Sequence, residues 1–251
     1  MTEFLLETEG LSKSFGALAA VNGVSLGFRR GETHAIIGPN GAGKTTFLNL
    51  LSGEIRPSLG RVRFKGQDIT AAAPDRISRL GIGRSYQKTN IFSSFTCLEN
   101  CWVASQSRLP SSLRFVRSAA RLSDVRARAM HGLELAGLAA RRDDVAAKIS
   151  YGEQRQLEIA MMLAAEPELL LLDEPLAGMG PDESQRVVGL LKRLARGHTL
   201  ILIEHDMDAV FEVAEVLTVM VNGEVLESGA VSAVRASRAV QEAYLGEEQP
   251  A

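Results

Sequence analysis

The most specific run in this 251-residue chain is Gly38-Pro39-Asn40-Gly41-Ala42-Gly43-Lys44-Thr45. It fits the pattern of a glycine, four residues, a second glycine, a lysine and a hydroxyl residue, and each type has a task in phosphate chemistry. The glycines let successive backbone N–H groups curl around phosphate oxygens, and a helix starting there adds partial positive charge. Lys44 is expected to reach the β and γ phosphates of a nucleoside triphosphate, the Thr45 hydroxyl to hold magnesium, and Thr46 to complete the binding run. The flanks suit this: an apolar strand, Ala35–Ile37, precedes the run, and Phe47, Leu48, Leu50 and Leu51 follow at helical spacing. A glycine-rich surface turn would account for the glycines but not for that context.

A second run, Leu169-Leu170-Leu171-Leu172-Asp173-Glu174, reads as a buried strand ending in two carboxylates. In an open α/β sheet the carboxyl end of a strand is where ligands bind. Asp173 is suited to magnesium, directly or through water. Glu174 is suited to polarise a water that attacks the γ-phosphorus. Alone, such a run is equally consistent with a strand entering a solvated loop. Its weight comes from the phosphate-binding run elsewhere in the chain.

These residues need elements to hold them. With 45% hydrophobic and 23% charged residues, the composition is that of a globular domain and excludes a disordered or fibrous chain. The first ninety residues read as short strands over Phe4–Leu6, Val24–Phe28, Ala35–Ile37 and Val62–Phe64, punctuated by glycine turns. From Ser105 to Lys148 there are nine bases, Arg108, Arg114, Arg117, Arg121, Arg126, Arg128, Arg141, Arg142 and Lys148, against four acids. This stretch reads as an inserted helical lobe whose arginines form a solvated face or, alternatively, lie near anionic lipid headgroups. Beyond Ser150, continuous apolar runs at Leu169–Leu172, Leu200–Ile203 and Val216–Val221 alternate with helical patterns. Strand–helix alternation of this kind predicts a mainly parallel sheet with strands buried on both faces. Gly180-Pro181 is placed to start the helix carrying Val187, Leu190, Leu191 and Leu194.

Several classes are set aside on the same grounds. A formal net charge of −2 argues against a nucleic-acid binder. Cys97 and Cys101 are too few for a disulfide scaffold or a structural zinc site, which favours a reducing compartment. No signal peptide is expected from Met1-Thr2-Glu3-Phe4, and no apolar run reaches the ~18 residues of a spanning helix.

A phosphate-binding run serves kinases, GTPases and motors alike, and the string Ile149-Ser150-Tyr151-Gly152-Glu153-Gln154 decides among them. With it, the chain resembles the nucleotide-binding subunit of ATP-binding cassette (ABC) transporters over nearly its whole length. The family's signature loop, Leu-Ser-Gly-Gly-Gln, stands here as Ile149-Ser150-Tyr151-Gly152-Glu153. The resemblance implies a phosphate-loop α/β cassette: a mainly parallel core sheet, an antiparallel β subdomain and an inserted helical subdomain. The corresponding parts are residues 1–88, about 89–165, 166–228 and a helical tail over 229–251. It also implies ATP and Mg2+ as ligands. Phe15 would stack on adenine, Gln87, after a strand expected over Ile82–Tyr86, would link magnesium and the attacking water to the membrane partner, and His205 would hydrogen-bond the γ-phosphate. Ser150, Gly152 and Glu153 would face ATP held by a second cassette, and Ala177-Gly178-Met179-Gly180 would cross that interface. An ordinary core phenylalanine, loop glutamine or structural histidine would look the same in isolation; His34, His131 and His198 are placed in that structural class. Tyr151, Glu153 and Gly180 depart from the family's glycine, glutamine and aspartate.

The implied partners are two transmembrane permease subunits, a second cassette (a related chain or a second copy) and, indirectly, a periplasmic solute-binding protein. The implied place is the cytoplasmic face of the inner membrane, as a peripheral subunit. The apolar stretch Ile91, Phe92, Phe95 and Leu98 is expected to receive a short permease helix or to pack the lobe's own core. Ser150 to Arg155, Ile203 to Met207 and Ala243-Tyr244-Leu245-Gly246 are similar to importers of branched-chain amino acids. Urea and short-chain amide importers and the lipopolysaccharide-transport cassette are alternatives. A soluble non-transport cassette or a small-molecule kinase fits less well, since the lobe is short and the signature loop is present.

Overall fold

The computed structural model describes residues 4–87, 89–107 and 119–245. Arg108, Arg114 and Arg117 of the basic stretch and Gly246 of the terminal string lie outside them. The first part of the chain forms β1 (Leu6–Phe15), β2 (Leu18–Val24), β3 (Gly27–Phe28), β4 (Thr33–Ile37), α1 (Lys44–Leu51), β5 (Leu59–Phe64), β6 (Gln67–Asp68), α2 (Pro74–Leu80) and β7 (Ile82–Arg84). A helical stretch follows with α3 (Cys97–Gln106), α4 (Ala119–Ala136) and α5 (Tyr151–Ala164). The remainder is β8 (Leu169–Asp173), α6 (Pro181–Ala195), β9 (Thr199–Ile203), α7 (Met207–Val213), β10 (Val216–Val221), β11 (Glu224–Ala230), α8 (Val231–Ala236) and α9 (Arg238–Leu245).

The central sheet runs β11-β10-β4-β9-β8-β7, parallel throughout except for the edge strand β11. A second, antiparallel sheet joins β1, β2, β3, β5 and β6. The strands β7 and β8 are direct neighbours, so α3, α4 and α5 are inserted between two paired strands. This is the expected cassette architecture.

Alternating side chains explain why the parallel strands read as unbroken apolar runs. Along β8, Leu170 and Leu172 enter a core shared with α3–α6, while Leu169 and Leu171 enter one shared with α1 and the antiparallel sheet. In β9, Leu200 and Leu202 take the first side, Ile201 and Ile203 the second. A strand with a core on each face has no polar side to show. Cys97 and Cys101 are free thiols inside the helical core, and burial pushes the Cys97 thiol up to about 11.

Three expected strands differ in the structure. Of Phe4–Leu6 only Leu6 lies in a strand, as the first residue of β1. Val24–Phe28 splits between the end of β2 and the two-residue β3. The strand expected over Ile82–Tyr86 stops at Arg84. Beyond it, the Tyr86 N–H donates to the Glu158 carboxylate and the Tyr86 carbonyl accepts from Arg155, so side chains of α5 replace a neighbouring strand.

Candidate functional site

The strand β4 delivers the chain to Gly38, and α1 starts at Lys44 with Gly43 as its N-cap. Two of these glycines are demanded by the backbone. At Gly43, φ is +90° and an added Cβ would lie 2.1 Å from the Ala20 carbonyl oxygen; at Gly38 it would lie 2.0 Å from that of Met220. A larger residue at either place would push the loop off β2 or β10. With Gly43 as cap, no side chain caps the first turn of α1, and the positive end of the helix faces the loop that a phosphate would enter. Lys44 is buried, its Nζ 2.5 Å from the Gly38 carbonyl and 2.9 Å from that of Pro39. The loop thus holds its own cation in place.

A cleft of about 620 Å³ opens over this loop. Asn40 to Thr46 line it together with Phe15, Leu18, Gln87, Glu174 and His205. Of the cofactor-binding and catalytic residues expected on this side, Gly38 and Pro39 do not line the cleft, but their carbonyls hold Lys44, which does. Phe15 is 52% exposed, far too open for the ordinary core role, and Lys13 Nζ lies 5.2 Å from its ring centre. An exposed ring at a cleft mouth is available for stacking.

The carboxylates arrive from β8. Asp173 is buried at the strand's end, 3.5 Å from the Thr45 hydroxyl and 3.6 Å from Arg84 Nη2. Burial raises its pKa, and the buried Arg84 guanidinium opposes that rise. Glu174, the next residue, adopts φ +49°, an uncommon conformation for a non-glycine residue. Its N–H donates to the Ile203 carbonyl, and its Oε1 accepts from His205 Nε2 at 2.9 Å. Two loops from neighbouring strands therefore meet in one carboxylate–imidazole contact beside the phosphate loop.

Three positioning residues escape motif reading. Glu204 is buried, and its carboxylate accepts from the backbone N–H groups of Leu176 (2.8 Å) and His205 (3.0 Å), tying the loops after β8 and β9 together. Burial raises its pKa against those hydrogen bonds. Arg155 and Glu158 form a buried pair at 3.0 Å. Arg155 also donates to the Tyr86 and Gln87 carbonyls, so α5 grips the backbone that carries Gln87. A buried ionisable residue within an apolar helix pattern was the available clue, but its partners are about 70 residues away.

The signature residues lie elsewhere. Ser150 is the N-cap of α5, and Glu153 completes a capping box by accepting from the Ser150 N–H. Glu153 also accepts from Arg141 Nε at 3.1 Å. The acid is therefore the third-position partner that a Ser-started helix favours. Neither Ser150 nor Gly152 lines the cleft over the phosphate loop. The structure brings Phe15, Lys44, Thr45, Gln87, Asp173, Glu174 and His205 together and leaves Ser150, Gly152 and Glu153 at a separate place on the same chain.

The ABC transporter family model matches residues 21–177. The branched-chain amino acid transport ATP-binding protein LivG of Salmonella typhimurium is 37% identical, over 98% of this chain and 100% of that one. This chain belongs to the ABC transporter family. BraF of Pseudomonas aeruginosa, of the same description, is also 37% identical, with 98% and 100% covered. Among solved structures, an ABC transporter cassette in its ADP conformation superposes with a TM-score of 0.85, at 32% identity over 98% of this chain and 100% of that one. A cassette crystallised as a dimer in a post-hydrolysis state with ADP and Pi gives 0.76, at 25% identity over 90% and 98%. Membership makes this cassette an ATP-binding ATPase subunit whose hydrolysis is coupled to transport. Among the described residues, no helix is long and apolar enough to cross a membrane.

Proposed function

We propose that this cassette powers import of branched-chain amino acids, bound to two permease subunits at the cytoplasmic face of the membrane and paired head to tail with a second cassette. The single observation that carries the solute class is the 37% identity spanning the whole of LivG and BraF. The pairing is supported by the separation of the site into two places on one chain, and by the dimer of the related cassette bound to ADP and Pi.

The chemistry follows from the geometry. The α1 N-terminus and Lys44 receive the β and γ phosphates, and the Phe15 ring stacks on the base. Thr45 and Asp173 offer oxygen donors 3.5 Å apart, a set that fits Mg2+, and Gln87 lines the same cleft as Thr45. There Mg2+ would neutralise charge on the phosphate oxygens. Glu174 orients the attacking water through its carboxylate, and His205, donating to Glu174 Oε1, is held within reach of the γ-phosphate. Ser150 and Gly152 of the second cassette would cover that phosphate from the other side. A γ-phosphate bound by both subunits favours the closed pair, and its cleavage removes the shared contact.

The apolar stretch after Gln87 divides its work. Ile91 and Leu98 pack against the helical core, whereas Phe92 and Phe95 stack on each other at 5.3 Å and stay 47% and 39% exposed. Buried Asn100 fixes the Phe92 backbone from both sides, accepting from its N–H and donating to its carbonyl. This presented aromatic pair is the proposed seat of a short permease helix.

The test is Glu174→Gln. It should leave ATP binding intact, lower hydrolysis by on the order of 10²–10⁴, and yield an ATP-locked pair on size exclusion. Normal hydrolysis in that variant would move the water-orienting role to another group.

A further inference from the structure

Among the described residues, three helices carry a glutamate at their third position, and one of them behaves differently. Glu99 in α3 and Glu153 in α5 both turn back to the N-cap N–H of their own helix, completing boxes with Thr96 and Ser150. The helix α6 starts at Pro181 with Gly180 as N-cap, which has no side chain to make the reciprocal bond. Glu183 turns away from its own helix. Its Oε1 accepts from the Ser150 hydroxyl at 2.9 Å and from the Gly152 N–H at 3.3 Å. The approach is close enough that a Cβ on Gly152 would lie 2.9 Å from the Glu183 carboxyl carbon.

Ser150 and Gly152 are the two donors that the proposed function assigns to the γ-phosphate of the partner cassette. One carboxylate oxygen takes both. From this we infer that Glu183 is an internal competitor for the signature loop, a negatively charged stand-in that the γ-phosphate must displace before two cassettes close. The inference rests on the pairing proposed above and adds a threshold to it. A γ-phosphate brings more charge and more acceptor oxygens than a carboxylate, so ATP can displace the contact. ADP has no γ-phosphate and leaves it standing. Because Glu183 lies three residues past Gly180, at the end of the loop Ala177–Gly180, its release is mechanically tied to a segment expected to cross the interface.

The test uses the full-length chain carrying E174Q, alone and with whatever cassette and permease subunits co-purify with it. Pairing is followed by size exclusion with light scattering across Mg-ATP and Mg-ADP concentrations. Adding E183A should lower the ATP concentration at half-maximal pairing on the order of tenfold, the scale of a charge-assisted contact that no longer has to be broken first. Adding G180S instead should shift it the same way, because a Ser N-cap draws Glu183 back to its own helix as a capping box. G180S should do so without lowering the melting temperature. ADP should drive no pairing in either. An unchanged or raised ATP midpoint with both variants overturns the inference and makes Glu183 a simple brace of the signature loop. If the E174Q parent itself forms no pair under saturating Mg-ATP, the proposed pairing falls and takes this inference with it.

Discussion

The phosphate loop and the signature loop each end at a helix N-terminus, yet they are held by different means. At the phosphate loop the decisive contacts are local: Lys44 is seated by carbonyls five and six residues away, and Gly43 caps its own helix. At α5 the contacts come from far along the chain. Glu183 reaches Ser150 across 33 residues, and Arg155 holds the Gln87 carbonyl across 68. The first half is a device that a short peptide pattern can specify. The second exists only once the helical layer has docked on the sheet.

The largest expected break falls on the local half. Lys44→Ala should abolish measurable hydrolysis and weaken ATP binding, a loss of at least on the order of 10² in turnover. Near-normal phosphate release by the partner-bound variant would show that a second cation does its work.

Next comes the long-range half. The side chains of Arg155 and Glu158 are 3% and 6% exposed, and Arg155→Met would strand a buried carboxylate. The expected cost is about 3–5 kcal/mol in denaturant unfolding, with much of it recovered when Glu158 is made apolar as well. Hydrolysis in the single variant should fall while ATP binding persists, since only the backbone beneath Gln87 is released. Equal loss of binding would mean that the two halves are less separate than their contacts indicate.

A smaller effect is expected at the seam between the two sheets. Glu168 precedes β8 and accepts from Arg30 at 2.9 Å and from Lys65. Burial pushes its pKa up, but Lys65 and then Arg30 outweigh this and leave it below the ordinary glutamate value. A carboxylate lowered in the folded state adds stability above its unfolded pKa and loses it as pH falls through the folded one. Glu168→Gln should therefore destabilise by no more than about 1 kcal/mol near neutral pH, and the difference should vanish in acid. Melting curves of both proteins between pH 7 and pH 3 would show it, and a difference that grew toward acid would contradict the assignment.

Motif and periodicity carried the fold a long way. The runs at Leu169, Leu200 and Val216 became buried parallel strands because a segment with a core on both faces is apolar wherever a polar group has no partner; Thr218 in β10 is buried against His34 and Ser228, which hydrogen-bond its hydroxyl. Gly180 and Pro181 start α6 as expected. The end of β7 was not legible, since Tyr86 looks like one more strand residue until α5 supplies Arg155 and Glu158. The same applies to Ile91, Phe92, Phe95 and Leu98: four similar residues, two packed and two presented, divided by which face of the loop meets α3 and its neighbours.

By itself, the sequence determined the phosphate loop, the strand that ends in Asp173 and Glu174, and the family, because these depend on neighbours within a few positions. Only the tertiary structure decided that Glu204 ties two loops together, that α5 grips the Gln87 backbone, and that Glu183 occupies the signature donors. The reason is physical: a buried charge is tolerated only where partners converge on it, and those partners are brought by folding, from strands and helices that no local pattern links.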